Sequence, residues 1–251
     1  MNLDLGGKSV LVTGSSRGIG RAISETLYAE GCRVALNGRI AADVMLASSK
    51  LPGSIAVVGD VTKPDEATRI VHEVEEAFGS LDILVANVGG GSSVPPGEEN
   101  FAEWQRVFEL NFLSATNAIE AARSALAKNK GVIICISSIC GAEVINGAPI
   151  TYSAIKAALN AYVRGIARPL GRLGIRINAV APGNILFDGS VWSHKIQAST
   201  SSVSDFLERD VALARLGEPK EVADLVAYLA SPRSSFATGA VWTLDGGQIR
   251  S

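Results

Sequence analysis

The stretch Lys8-Ser-Val-Leu-Val-Thr-Gly-Ser-Ser-Arg-Gly-Ile-Gly-Arg21 decides how the rest of the chain is read. An apolar run over residues 10–12 has the character of a buried strand. It runs into Thr13, then into glycines at 14, 18 and 20, then into a helical pattern over 19–30. Strand, glycine turn and helix form the opening of a βαβ unit. Glycines let that turn close tightly and let a phosphate approach the backbone with no Cβ in the way. The free amides of the helix N-terminus then suit a pyrophosphate. The spacing is Gly-x-x-x-Gly-x-Gly, which differs from the Gly-x-Gly-x-x-Gly of many dinucleotide sites.

Working outward, short apolar runs alternate with helical patterns along almost the whole chain. Strands are expected over residues 32–37, 54–59, 82–86, 131–137, 175–181 and 240–244. Helices are expected after Arg39 to about 49, after the turn at 60–65, over about 102–128, over 151–173 and over 219–230. That alternation selects an α/β fold with a parallel sheet and helices on both faces. Runs such as Gly131-Val-Ile-Ile-Cys-Ile136 fit strands buried on both sides. Residues 184–210 are polar and serine-rich. They read as a disordered insert or, better, as a mobile lid, because ligands sit beyond the carboxyl ends of strands in such folds.

The chain has 251 residues, 47% of them hydrophobic, enough for one well-buried domain over 1–251. Its 23 basic and 25 acidic residues leave a formal charge of −2, which argues against nucleic acid or an anionic membrane as partner. The first residues lack the basic and apolar regions of a signal peptide, and no apolar run approaches the ~20 residues of a membrane span. A soluble, cytoplasmic protein is expected. Cys32, Cys135 and Cys140 show neither metal-ligand spacing nor a disulfide framework, and no metal site is expected. Cys140 has no basic neighbour in sequence to make it a thiolate.

Tyr152-Ser-Ala-Ile-Lys156 lies in a helical stretch, and the i, i+4 spacing puts phenol and ammonium side by side. An adjacent ammonium favours phenolate. Bringing a tyrosine from about 10 to about 7 takes roughly 4 kcal/mol, more than one exposed pair supplies, so other groups must contribute. As an isolated pair these residues are equally an ordinary Tyr and Lys on a helix surface. Thr13-Gly-x-x-x-Gly-x-Gly20, Asp60, Asn87-x-Gly89, Asn111, Ser137-Ser138, Tyr152-x-x-x-Lys156 and Pro182-Gly183 occur together and in this order.

With that set the chain closely resembles the short-chain dehydrogenase/reductase family over essentially its full length. The resemblance implies a Rossmann fold, a doubly wound sheet of seven parallel strands. It also implies a catalytic group of Asn111, Ser138, Tyr152 and Lys156. Tyr152 would act as general acid toward a carbonyl oxygen, and Ser138 would hydrogen-bond that oxygen. Lys156 would hold the nicotinamide ribose, and Asn111 would position a water linking Lys156 to solvent. The nucleotide would lie on Gly14, Ser16, Arg17, Gly18, Ile19, Gly20, Arg39, Asp60, Val61, Asn87, Gly89, Tyr152, Lys156, Pro182, Gly183 and Ile185.

The chain departs from the family pattern in two places. Ser138 and Tyr152 are one residue further apart than usual, with the extra residue near Asn146-Gly147; Ser137 would need a larger insertion. Val88 stands where the family has alanine, followed by Gly90 and Gly91. The cofactor is expected to be NADP(H), because Leu36-Asn37-Gly38-Arg39 has no acid for the ribose hydroxyls of NAD. Arg17 and Arg39 would bracket a 2′-phosphate instead. The expected substrate is a small or carrier-linked carbonyl compound, with a 3-oxoacyl thioester, a sugar or a steroid all open. The rival reading is a regulatory protein that binds NADP(H) without turnover. The family also implies a homotetramer. His194 and Trp192 are candidate lid contacts, and His72 is an outward-facing residue with no role.

Overall fold

The computed structural model describes residues 2–250. Its strands are β1 (Ser9–Val12), β2 (Arg33–Gly38), β3 (Ile55–Val58), β4 (Ile83–Ala86), β5 (Val132–Ile136), β6 (Arg176–Pro182) and β7 (Val241–Leu244). They form one parallel sheet in the order β3-β2-β1-β4-β5-β6-β7. The order reverses between β1 and β4. There the two neighbouring loops leave in opposite directions and open the crevice in which doubly wound folds take their ligands.

Successive side chains on a strand point to opposite faces, and both faces are apolar. From β1 and β2, Val10, Val12, Val34 and Leu36 pack against α1 (Gly18–Ala29), α2 (Ala41–Ser48) and α9 (Pro219–Ala230). Leu11 and Ala35 point the other way, toward α3 (Pro64–Phe78), α5 (Ser114–Asn129) and α6 (Ile150–Arg172). The central strands β1, β4 and β5 are wholly buried. Each side's apolar surface is removed from water by its own helix layer, which is what makes a continuous hydrophobic strand stable here.

The expected long helix over about 102–128 is not uniform. It consists of α4 (Phe101–Phe108), a π-helical turn at Glu109–Leu113, and α5. The serine-rich segment is not a disordered insert either. It forms α7 (Val191–Ala198) and α8 (Thr200–Asp210), and two of its serines are the caps. Ser190 accepts from Ser193 N, and Ser199 accepts from Ser202 N, each satisfying an orphan amide. Trp192 stacks on Phe206 with centroids 5.1 Å apart, with Lys195 over the indole at 4.4 Å. Trp192 therefore holds the two helices together, while His194 is exposed. Among the described residues no helix is long and apolar enough to cross a membrane.

The glycine turn is secured from β4. Asn87 Nδ2 donates to both Thr13 O and Gly14 O, each at 3.0 Å, and Asn87 N donates to Thr13 Oγ1 at 3.0 Å. Gly14 and Gly18 have φ of 63° and 57°, values that favour glycine. A Cβ on Gly20 would overlap both Asn87 Nδ2 and Gly14 O. Gly20→Ala should therefore destabilise the fold by about 1–3 kcal/mol, the usual cost of overpacking. An unchanged urea midpoint for that variant would contradict this description of the turn.

Candidate active site

Tyr152 and Lys156 occupy the first turns of α6, and Ser138 follows directly from β5. The Ser138 hydroxyl lies beside the Tyr152 phenol and favours its ionised form. Ser138 Oγ also accepts from Cys140 N at 3.1 Å, so its own hydrogen is directed elsewhere. Ser137 turns into the core instead and donates to Asn160 Oδ1 at 2.6 Å. Of the two serines, Ser138 is the one beside the phenol. Residues 145–148, around Asn146-Gly147, form a turn closed by Ala148 N to Ile145 O at 3.0 Å, with Gly147 at φ 74°. It leaves Ser138 and Tyr152 in contact.

The electrostatics differ from the sequence expectation. Lys156 is 3% exposed and donates to Ile136 O at 2.9 Å, with Nζ 5.7 Å from the Tyr152 ring centroid. Burial pushes the Tyr152 phenol up to about 12, against the downward pull of Ser138. Burial likewise lowers the Lys156 ammonium to about 8. With desolvation dominating both groups, the i, i+4 neighbour does not by itself make a phenolate. Desolvation disfavours the charged form of both groups and outweighs their proximity. Cys140 does have a basic group near it in space, Lys156, yet burial raises its thiol and it remains a thiol.

Asn111 lies in the π-helical turn, buried, and π-turns of this kind recur at functional sites. Its side chain accepts from Gly90 N at 3.0 Å and donates to Val107 O at 3.1 Å and Gly90 O at 3.3 Å. A Cβ on Gly89 would stand 2.8 Å from Asn111 Oδ1 and 3.2 Å from Lys156 Nζ. Both side chains therefore converge on the space a side chain at Gly89 would fill. The Gly89–Ser93 loop is fastened by Ser93, which donates to Glu103 Oε1 at 2.7 Å and meets Thr151 Oγ1 at 2.5 Å. With Arg106 and Ser93 both bonded to it, the Glu103 carboxyl is lowered to about 2.

The other expected residues line the crevice at the switch point. Helix α1 begins with no side-chain cap and no acidic residue in its first turn, leaving its amides and their partial positive charge to an anion. Ser16 is half-buried beside Gly38, and Arg17 is exposed. Arg39 reaches Asp60 at 3.9 Å, and Asp60 also accepts from Thr62 N and Oγ1. Val61 is buried in the core, and its carbonyl accepts from Asn117 Nδ2 at 3.1 Å. Gly183 N donates to Leu244 O at 2.9 Å, fixing the Pro182-Gly183 end of β6. The pairing of this segment with Gly217 uses Asn184 O and Leu186 N, so the Ile185 amide and carbonyl point away from it.

These donors fit a dinucleotide: uncapped amides at α1, two guanidinium groups, and a lysine with one of three N–H bonds made inside the protein. Three residues went unremarked in the sequence. Asn37 Oδ1 is the one buried side-chain N or O atom without a partner among the described residues, at the end of β2. The Phe187 ring lies over Gly18, where a Cβ would meet it at 2.7 Å. Asn160 continues the Tyr152, Lys156 series at the same four-residue interval, and that spacing was the signal that could have found it.

A family model described as enoyl-(acyl carrier protein) reductase matches residues 14–248. The 3-oxoacyl-[acyl-carrier-protein] reductase FabG of Staphylococcus aureus is 36% identical over 250 residues, covering 96% of this chain and 97% of that protein. The structure of L-sorbose reductase from Gluconobacter frateurii, complexed with NADPH and L-sorbose, matches with a TM-score of 0.93 at 27% identity over 100% of both chains. A 7α-hydroxysteroid dehydrogenase complexed with NADH and 7-oxo glycochenodeoxycholic acid matches with a TM-score of 0.91 at 30% identity, covering 100% of this chain and 97% of that one. By the extent of these matches, the chain belongs to the short-chain dehydrogenase/reductase family, oxidoreductases that act on alcohol and ketone groups.

Proposed function

We propose that the protein is an NADP(H)-dependent reductase of a ketone, with Asn111, Ser138, Tyr152 and Lys156 as its catalytic group. The observation that carries this reading is the Ser138 hydroxyl set against the Tyr152 phenol, beside a buried Lys156. When bound, the reduced nicotinamide supplies the hydride. Tyr152 hands its proton to the carbonyl oxygen as that oxygen gains charge, and Ser138 donates a hydrogen bond to the same oxygen. Lys156 keeps two N–H donors beyond Ile136 O for the ribose hydroxyls. Asn111 braces the loop facing that ammonium through both atoms of Gly90. With the phenol at about 12 before the cofactor binds, Tyr152 is a loaded acid at neutral pH and a poor base.

The phosphates would lie on Gly14, Ser16, Gly18, Ile19 and Gly20. Asp60, Val61, Asn87 and Gly89 would border the adenosine and nicotinamide riboses, and Pro182, Gly183 and Ile185 the carboxamide. Arg17 and Arg39 would take a 2′-phosphate, which favours NADP(H) over NAD(H). Residues 184–210 would form the lid of a single domain working in the cytoplasm. Exposed Ala154, Ala157 and Ala161 on α6 suit close helix contact in a homotetramer. Among the relatives and solved structures the reduced or oxidised group belongs to an acyl thioester, a sugar or a steroid, so the substrate class is best found by trial.

In a panel of a 3-oxoacyl thioester, a ketose and a keto-steroid, at least one should be reduced with NADPH. Tyr152→Phe should lower that rate by about 10²–10⁴-fold while leaving NADPH affinity intact. If wild type and variant both bind NADPH and neither turns over any member, the regulatory reading replaces this one. The arginine assignment is tested separately by titration. Arg39→Asp should raise the NADPH Kd by about tenfold or more, the worth of a charge-assisted hydrogen bond, and leave the NADH Kd unchanged. Equal affinities for the two cofactors in wild type, and no effect of the variant, would refute it.

A further inference from the structure

Asn160 lies one helical turn beyond Lys156 on α6 and is 1% exposed. Its Oδ1 accepts from Ser137 Oγ at 2.6 Å, and its Nδ2 donates to Gly141 O at 3.0 Å. These two partners bracket Ser138: Ser137 precedes it, and Gly141 closes its turn by donating to Ser138 O at 3.0 Å. The turn is pressed directly onto α6, since a Cβ on Gly141 would stand 2.7 Å from Lys156 O. One amide therefore ties the backbone on both sides of Ser138 to the helix that carries Tyr152. Only a side chain offering an acceptor and a donor together can make this pair of bonds. Alanine would leave the buried Ser137 hydroxyl and the half-buried Gly141 carbonyl without their partner.

We infer that Asn160 is a positioning residue, fixing the Ser138 hydroxyl against the Tyr152 phenol so that both oxygens can act on one substrate oxygen. The inference rests on the reading of Ser138 and Tyr152 as the reacting pair. Precision of this kind matters because small misplacements of reacting groups are costly in rate. A purely structural asparagine would instead affect stability and leave the chemistry of the folded enzyme alone.

A double-mutant cycle separates the two. Asn160→Ala should lower kcat for ketone reduction at least about tenfold, with NADPH Kd and substrate KM within about twofold of wild type. In a Ser138→Ala background the same substitution should cost less than about twofold, because the group it positions is gone. Losses that add in full would overturn the inference. Ser137→Ala, which removes only one arm, is the companion should Asn160→Ala fold poorly, and it should show a smaller loss that also vanishes in the Ser138→Ala background. A second readout does not depend on turnover: the Tyr152 phenolate titration in the NADP⁺ complex, taken as a difference against Tyr152→Phe. Asn160→Ala should raise that midpoint in the same direction as Ser138→Ala, and an unshifted midpoint would overturn the inference. Failure of wild type to reduce any ketone would count against the proposed function, and the titration would still judge Asn160.

Discussion

The site depends on the burial of an ammonium beside a phenol. Lys156 and Tyr152 share the first turns of α6, the lysine buried and the tyrosine half-buried where β5 ends. Desolvation penalises a charge on either, so the ammonium falls to about 8 and the phenol rises to about 12. The phenol is held protonated, and the ammonium releases its proton more readily than a free lysine does. The fold permits this by giving Lys156 a carbonyl partner, Ile136 O, and a glycine, Gly89, where any side chain would displace it. It opposes the penalty only in part. The remainder is available to a bound ligand carrying hydroxyls and positive charge.

That arrangement is continuous with the other end of the crevice. Asn87 closes β4 and clasps the glycine turn through Thr13 and Gly14; two residues later Gly89 meets Lys156 and Asn111. One short segment, 87–89, therefore registers the glycine turn against Lys156 and Asn111. Its place next to β1 follows from the reversal of strand order between β1 and β4. Ser93, Glu103 and Thr151 continue the same loop and anchor it to the turn of α6 that carries Tyr152.

Much of this was legible in the residues. Strand and helix patterns located every sheet element to within a residue or two, because strands buried on both faces stand out as unbroken apolar runs. The helix over 219–230 was read to the residue. The π-helical turn at Glu109–Leu113 was not, since one widened turn barely alters the apolar spacing of a long helix. The two helices α7 and α8 were hidden by composition: serine has modest helix propensity, and its use as a cap at Ser190 and Ser199 explains it there. In the site, i, i+4 spacing correctly paired Tyr152 with Lys156 and said nothing about burial. The downward pull expected on the phenol is outweighed by the desolvation of both groups. Asn160 escaped for a related reason: an asparagine in a helix acquires meaning only when its partners from β5 and the following turn are in place.

The most direct test is the ionisation of Tyr152 with and without nucleotide. Spectrophotometric titration of wild type against Tyr152→Phe isolates this one phenol. Burial predicts that in the free protein it titrates well above an ordinary tyrosine, near 12, and that NADP⁺ draws it down toward neutrality. A phenol already near neutral in the free protein, or one whose midpoint is the same with and without NADP⁺, would contradict the account.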